Sequence, residues 1–221
     1  MPRQKRIAKG NIVYHVLNRA NGRLRIFKKA DDFLAFEQIL AEAAERFAMR
    51  VCGYCIMGTH WHLVLWPRHD GDLSAFMKWL TVTHSARWHA AHRTAGIGHL
   101  YQGRFKSFPV QDSSYYLTLM KYVESNPLRA GLVRRSADWP WSSLAVRTKV
   151  KKPIELTAGP VPLPRQWTKR VDGFADTPAD EIETCLQRGR PFGDEQWVVK
   201  IASQLNLQAS LNPRGRPRKD S

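Results

Sequence analysis

The spacing of apolar residues changes period several times along the chain, and each change marks an expected element. Residues 11–18 set Ile12, Tyr14 and Val16 on one side and Val13, His15 and Leu17 on the other, which predicts a buried strand rather than an amphipathic helix. Asp31 and Asp32 then open a helix in which Phe33, Phe36, Ile39, Leu40, Ala43 and Phe47 recur at helical spacing. The two carboxylates sit at its N-terminal end, where the helix dipole favours them. Residues 50–57 and 60–66 are strand-like runs separated by Gly58 and Thr59, a length suited to a tight hairpin. A second helical pattern spans 72–93 through Leu73, Phe76, Met77, Leu80 and Trp88, and Gly96, Gly98 and Gly103 break the chain after it. A third helix is expected over 113–126, ended by Pro127, because the residue before a proline is pushed out of helical geometry. Trp139, Pro140 and Trp141 then read as a packing cap on the core.

Strand, helix, hairpin, helix, then further strand and helix describes an α+β fold with helices laid on an antiparallel sheet. The character of the chain changes after about Arg147. Pro153, Pro160, Pro162, Pro164 and Pro178 punctuate a weakly patterned stretch, and Trp197, Val198, Ile201 and Leu205 mark a short amphipathic helix. The expected division is therefore a domain over residues 1–147 and an extension over 148–221, with Arg-Gly-Arg-Pro starting at Arg188 and again at Arg214. From about Arg188 onward the extension is expected to add affinity and no chemistry.

Charge sharpens this picture. Lys and Arg number 35 against 19 Asp and Glu, a net charge of +16, which points to a polyanionic partner. No acidic residue precedes Asp31, whereas Arg3, Lys5, Arg6, Arg19, Arg23 and Arg25 all fall there, so the first strand and its loop would present a basic face to phosphates. No run of eighteen apolar residues exists, and the basic first ten residues lack an apolar stretch behind them, so neither membrane nor export is expected. Three cysteines, Cys52, Cys55 and Cys185, are too few for a disulfide framework and fit a reducing cytoplasm. The Cys-x-x-Cys spacing of the first two lacks a second pair to complete a zinc site.

Candidate chemistry centres on His60, Trp61 and His62, since alternate residues of a strand share a face and two imidazoles then stand side by side. Two such nitrogens are half of a divalent-metal site, although paired strand histidines are also found as surface or core residues. Tyr122 and Asn126, four residues apart, would share a helix face and could supply a nucleophile and a third ligand. Singly, Tyr122 reads equally as a core aromatic and Asn126 as a helix-ending residue. Tyr115 and Tyr116 are rival nucleophiles by type, but they lie more than two turns before Asn126. His84, His89 and His92 could line a nucleic-acid groove or stand on a solvated helix face.

The His-hydrophobic-His motif, followed by a helix reading Tyr-Val-Glu-Ser-Asn-Pro-Leu-Arg-Ala-Gly-Leu-Val, resembles the HUH single-tyrosine transposases, in particular the REP-associated tyrosine transposases. Tyr14-His15-Val16 with Arg19 and Phe27, the run from Tyr101 to Lys106, and the segment from Trp139 to Ser143 extend the resemblance over about residues 8–147. It implies the HUH nuclease fold, a ferredoxin-like antiparallel sheet with helices on one face. It further implies metal ligands at His60, His62 and Asn126, Mg²⁺ or Mn²⁺ as cofactor, and Tyr122 as nucleophile. The reaction implied is cleavage and rejoining of single-stranded DNA at repetitive palindromic hairpins through a 5′-phosphotyrosine. Arg104 and Lys106 join the expected DNA contacts, as do Arg214 and Arg216, whose extended Gly-Arg-Pro context is like a minor-groove hook and also like a solvated tail. A cytoplasmic, nucleoid-associated monomer or homodimer is expected. The competing reading is a binder of hairpin DNA or structured RNA whose metal site is vestigial.

Overall fold

The computed structural model describes residues 8–148 and 150–212. Arg3, Lys5, Arg6, Arg214 and Arg216 lie outside the described residues. Four antiparallel strands, β1 (Val13–Arg19), β2 (Arg50–Ile56), β3 (His60–Trp66) and β4 (Lys106–Val110), form one sheet in the order β2-β3-β1-β4. Helix α1 (Ala30–Arg46) connects β1 to β2, and α2 (Asp72–His92) connects β3 to β4, which is the ferredoxin-like succession. Strands β1 and β3 lie at the centre, with Leu17 opposite His62 and His15 opposite Val64.

Strand alternation sorts the side chains onto two faces. On one, Tyr14, Val16, Tyr54, Ile56, Trp61, Leu63 and Leu65 meet the apolar stripes of α1 and α2. On the other, Val13, Cys52, Cys55, Val64, Phe108 and Val110 meet Tyr116, Leu119, Met120 and Val123 of α3 (Ser114–Glu124). The crossover helices thus share one face as expected, and α3 adds a layer on the opposite side. Among the described residues no helix is long and apolar enough to cross a membrane.

Local chemistry explains where the helices stop. Asp32 accepts from the backbone N–H of Lys28 at 2.9 Å and of Lys29 at 3.1 Å, which ties down the start of α1. The third helix is shorter than its sequence suggests. It ends at Glu124, and Asn126–Arg129 forms a separate turn, α4, with Pro127 in its first turn. There the missing proline N–H is not needed, so Pro127 opens a turn instead of closing one. The histidines of α2 also correct an expectation, because His84 is buried and neither solvated nor in a groove. Its Nδ1 lies 2.7 Å from the Tyr101 hydroxyl, which in turn accepts from Trp61 Nε1 at 2.9 Å. His92 meets Asp32 at 3.2 Å and stacks on Trp88, so it too is part of the packing. All three cysteines are buried and free.

Beyond α5 (Ser143–Arg147), the chain runs through α6 (Trp167–Asp172), α7 (Ala179–Arg188) and α8 (Glu195–Gln204). Thr157 donates its N–H to the Val51 carbonyl at 2.8 Å, and Phe192 pairs with β4, donating to Pro109 O and accepting from Gln111 N at 2.9 Å each. Gly159 lies against Tyr116, where a Cβ would fall 1.9 Å from the phenol oxygen, so a side chain has no room there. The stretch following the first Arg-Gly-Arg-Pro is built into the core. Gly189 (φ +69°) turns the chain, and Phe192, Ile201, Ala202 and Leu205 are buried.

Glu124, fully buried at the end of α3, joins these parts. Its carboxylate accepts from Ser143 Oγ, from Arg147 Nε at 3.0 Å and from Trp167 Nε1 at 2.6 Å. Glu124→Ala removes one partner of an inward-facing ion pair, and a loss of about 3 kcal/mol is expected. Urea unfolding at pH 7 measures it, and a loss below about 0.5 kcal/mol would show that the node contributes little.

Candidate active site

The sheet face under α3 carries three imidazoles. His60 and His62 project from β3 by strand alternation, their ring centroids 5.1 Å apart. His15 projects from the neighbouring β1 and stacks on His62 at 5.1 Å. Tyr122 hangs from α3 above them, its ring edge-on to His62 at 5.9 Å and to His15 at 6.3 Å. The structure therefore brings Tyr122 to His62, and His60 stands beside His62 on the same strand. Tyr115 packs instead on Phe192 at 4.9 Å, and Tyr116 is buried beside Cys52, so both are turned to packing.

Each histidine of β3 has its Nδ1 engaged. His60 Nδ1 lies 3.0 Å from Thr59 Oγ1, and His62 Nδ1 lies 2.9 Å from His15 Nε2. The Nε2 atoms are left over, and that of His62 is buried without a hydrogen-bond partner. A buried polar atom left unpaired costs about 1–3 kcal/mol, which a bound cation would relieve. The pair fits a divalent ion on chemical grounds, since neutral imidazole nitrogen is a standard ligand. Among the described residues no group of three or more His, Cys, Asp or Glu is arranged to hold a metal, so any further ligands would be of another type. Asn126 donates its Nδ2 to the Tyr122 carbonyl at 3.1 Å and to that of Val123 at 3.5 Å, which leaves the amide oxygen as its available donor atom.

Burial keeps the imidazoles neutral. It pushes His15 down to about 3 and, with the positive charge of Arg19, His60 down to about 4. His62 is held well below the usual histidine range by burial, then by its histidine neighbours and by Arg19 and Arg129. Burial also raises the Tyr122 phenol, and Arg129 opposes that rise through a hydrogen bond and its charge. The Arg129 guanidinium stands 4.5 Å from the Tyr122 ring centroid, and its Nη1 is buried without a partner. Spacing along the sequence assigned no role to Arg129 or His15. Both stand in segments that carry the family resemblance, which is the one signal that pointed near them.

A basic rim adjoins the site. Arg19, Arg104 and Lys106 are exposed and, with Leu17, Asn18 and Phe105, line a hollow of about 390 Å³. It continues through Asn18 and Arg104 into a larger hollow of about 860 Å³ whose wall includes Lys78, His89 and His99. Arg23 and Arg25 are exposed on the loop that follows β1.

Tyr122 thus stands over strand-borne histidines on a ferredoxin-like sheet, beside a cationic rim suited to a polyanion. Residues 8–126 match the family described as Transposase IS200 like, and the chain belongs to that family. It is similar to the REP-associated tyrosine transposase of Escherichia coli (strain K12), with 22% identity over 135 residues, 61% of this chain and 77% of that protein. A solved structure of a REP-associated tyrosine transposase bound to a REP hairpin aligns with a TM-score of 0.54 at 17% identity, covering 72% of this chain and 96% of the other. That likeness shows a common fold.

The depressed histidines predict a pH dependence of stability. Below pH 6.5 the unfolded chain takes up protons that His15 and His84, both pushed down to about 3 by burial, refuse in the folded state. Stability is then full above pH 6.5 and falls with decreasing pH, by up to about 1.4 kcal/mol per pH unit for each such group. Urea midpoints between pH 7 and pH 5 check this. His84→Asn is expected to flatten the slope, and an unchanged slope would mean that His84 accepts a proton without unfolding.

Proposed function

We propose that the chain is an endonuclease and strand transferase that cuts and rejoins single-stranded DNA at REP-like hairpins, with Tyr122 as nucleophile. The observation that carries this reading is the placement of the Tyr122 ring against His62, whose Nε2 is buried without a hydrogen-bond partner, with His60 beside His62 on the same strand face. In the reaction, the Tyr122 oxygen bonds to phosphorus as the bond to the 3′ oxygen breaks, giving a tyrosyl 5′-phosphate and a free 3′-hydroxyl. The phenol releases a proton as it attacks and the departing oxygen gains one, so the step is neutral overall. Rejoining is the reverse, which is why no nucleotide is consumed.

His60 and His62 would hold Mg²⁺ or Mn²⁺ through Nε2, with Asn126 adding its amide oxygen. Such an ion supplies Lewis-acid polarisation of the phosphate oxygens, worth several kcal/mol in comparable sites. Arg129 draws the phenol toward its anionic form and has an unpaired Nη1 to offer a phosphate oxygen. The rim of Arg19, Arg23, Arg25, Arg104 and Lys106 takes the backbone of the strand, and Arg3, Lys5, Arg6, Arg214 and Arg216 add charge from beyond the described residues. The hairpin preference is taken over from the solved REP-associated tyrosine transposase, which is bound to a REP hairpin, and from the similarity to the Escherichia coli REP-associated protein. Residues 1–147 then hold the whole site, and the extension of 148–221 buttresses α3.

The test is incubation of hairpin DNA, labelled at its 3′ end, with protein and Mn²⁺, followed by denaturing electrophoresis. A covalent adduct is expected for the unmodified protein and for Tyr115→Phe and Tyr116→Phe. Tyr122→Phe, and the double change of His60 and His62 to Ala, should form none yet still bind the hairpin. Adduct from Tyr122→Phe would remove the nucleophile assignment, and binding without adduct from every form would leave a non-catalytic hairpin binder. Replacing Arg19, Arg104 and Lys106 together by Ala should lower the slope of log K against log salt by about 2, three contacts at roughly 0.7 each on single strands. An unchanged slope would take these side chains off the DNA path.

A further inference from the structure

We infer that His15 is a positioning residue of the metal site: through its Nε2 it orients the His62 ring and accepts the His62 Nδ1 proton when His62 Nε2 binds a cation. This rests on the reading of His60 and His62 as metal ligands. The two rings are 0% and 2% exposed, and His15 Nε2 is 2.9 Å from His62 Nδ1. Among the described residues no other hydrogen bond reaches either ring, since His15 Nδ1 and His62 Nε2 both lack partners.

Proton counting gives the bond its meaning. Two neutral imidazoles joined this way share one hydrogen between the facing nitrogens, and each outer nitrogen then carries what the bond leaves it. When His62 gives its Nε2 lone pair to a cation, its own proton must sit on Nδ1, with His15 Nε2 as the acceptor. Histidine ligands elsewhere are oriented by a hydrogen bond from their second nitrogen, most often to a carboxylate or a carbonyl. A neutral imidazole in that role adds no negative charge beside a phosphate that must approach. As a mere packing residue His15 is a poor choice. It lies against Phe108 at 4.9 Å with a buried, unpaired nitrogen that a leucine would not have.

Mn²⁺ alone is the probe, titrated by electron paramagnetic resonance into full-length protein, with circular dichroism melts to confirm folding. His15→Asn keeps a polar side chain but is too short to reach His62, and its Mn²⁺ affinity should fall by roughly 10- to 100-fold. His15→Gln places an amide oxygen near the original Nε2 and should recover most of the loss. Phe108→Leu disturbs the same packing without touching the bond and should bind Mn²⁺ as the unmodified protein does. In ¹⁵N-histidine-labelled protein, a coupling between His15 Nε2 and His62 Nδ1 across the hydrogen bond is expected without any metal. Wild-type affinity in His15→Asn, or an equal loss in His15→Gln and Phe108→Leu, would overturn the inference while leaving the metal site intact. Equal Mn²⁺ affinity in the unmodified protein and in the double His60, His62 to Ala variant would instead overturn the metal site, and the inference with it.

Discussion

The pairing of β1 with β3 is the constraint on which the site depends. Leu17 faces His62 and His15 faces Val64 across two central strands, so residues His15, His60 and His62 emerge on the same face from different strands. A slip of one residue would send every side chain of a strand to the opposite face. Trp61, Leu63 and Leu65 resist that slip. They are fully buried against α1 and α2, and exchanging them with the histidines would drive imidazoles into an aromatic core. The packing of one face thereby sets the chemistry of the other.

The second control is exerted on α3. Its position over the imidazoles is held from below by Leu119, Met120 and Val123, and from its end by Glu124, whose carboxylate gathers Ser143, Arg147 and Trp167. Trp167 belongs to the extension, so a residue more than forty positions downstream helps to place the tyrosine two residues before Glu124. Tyr122 is only 3% exposed, and the Arg129 guanidinium is stacked on its ring. A side chain buried to this degree is shielded from solvent, and its charge is governed by its immediate neighbours.

The elements that were legible in the sequence are those whose pattern is local. β1, β2, β3, α1 and α2 follow from apolar periodicity, and the placement of His60 beside His62 follows from alternation alone. The nearness of Tyr122 required the sheet order as well, and came from family resemblance more than from spacing. What stayed hidden depends on partners far along the chain. His15 and His62 are separated by 47 residues, and Glu124 and Trp167 by 43, so no window of sequence pairs them. His84 read as a surface histidine because its helix stripe is interrupted by polar residues, and its hydroxyl partner Tyr101 lies past Gly96 and Gly98. Pro127 misled for a different reason: a proline that ends one helix is equally able to start the next turn, and the local rule does not say which.

The extension bears on a problem of sheets in general, which is that an outer strand offers unpaired amides and carbonyls to any passing chain. Here both rims of the sheet are partly occupied by the protein's own backbone. On the β2 side, Thr157 binds the Val51 carbonyl and Ile56 donates to Trp141; on the β4 side, Phe192 takes the facing groups of Pro109 and Gln111. Strand addition from a second molecule has no continuous ladder to join on either side. A second copy seeking to extend the sheet would find these edge groups already taken.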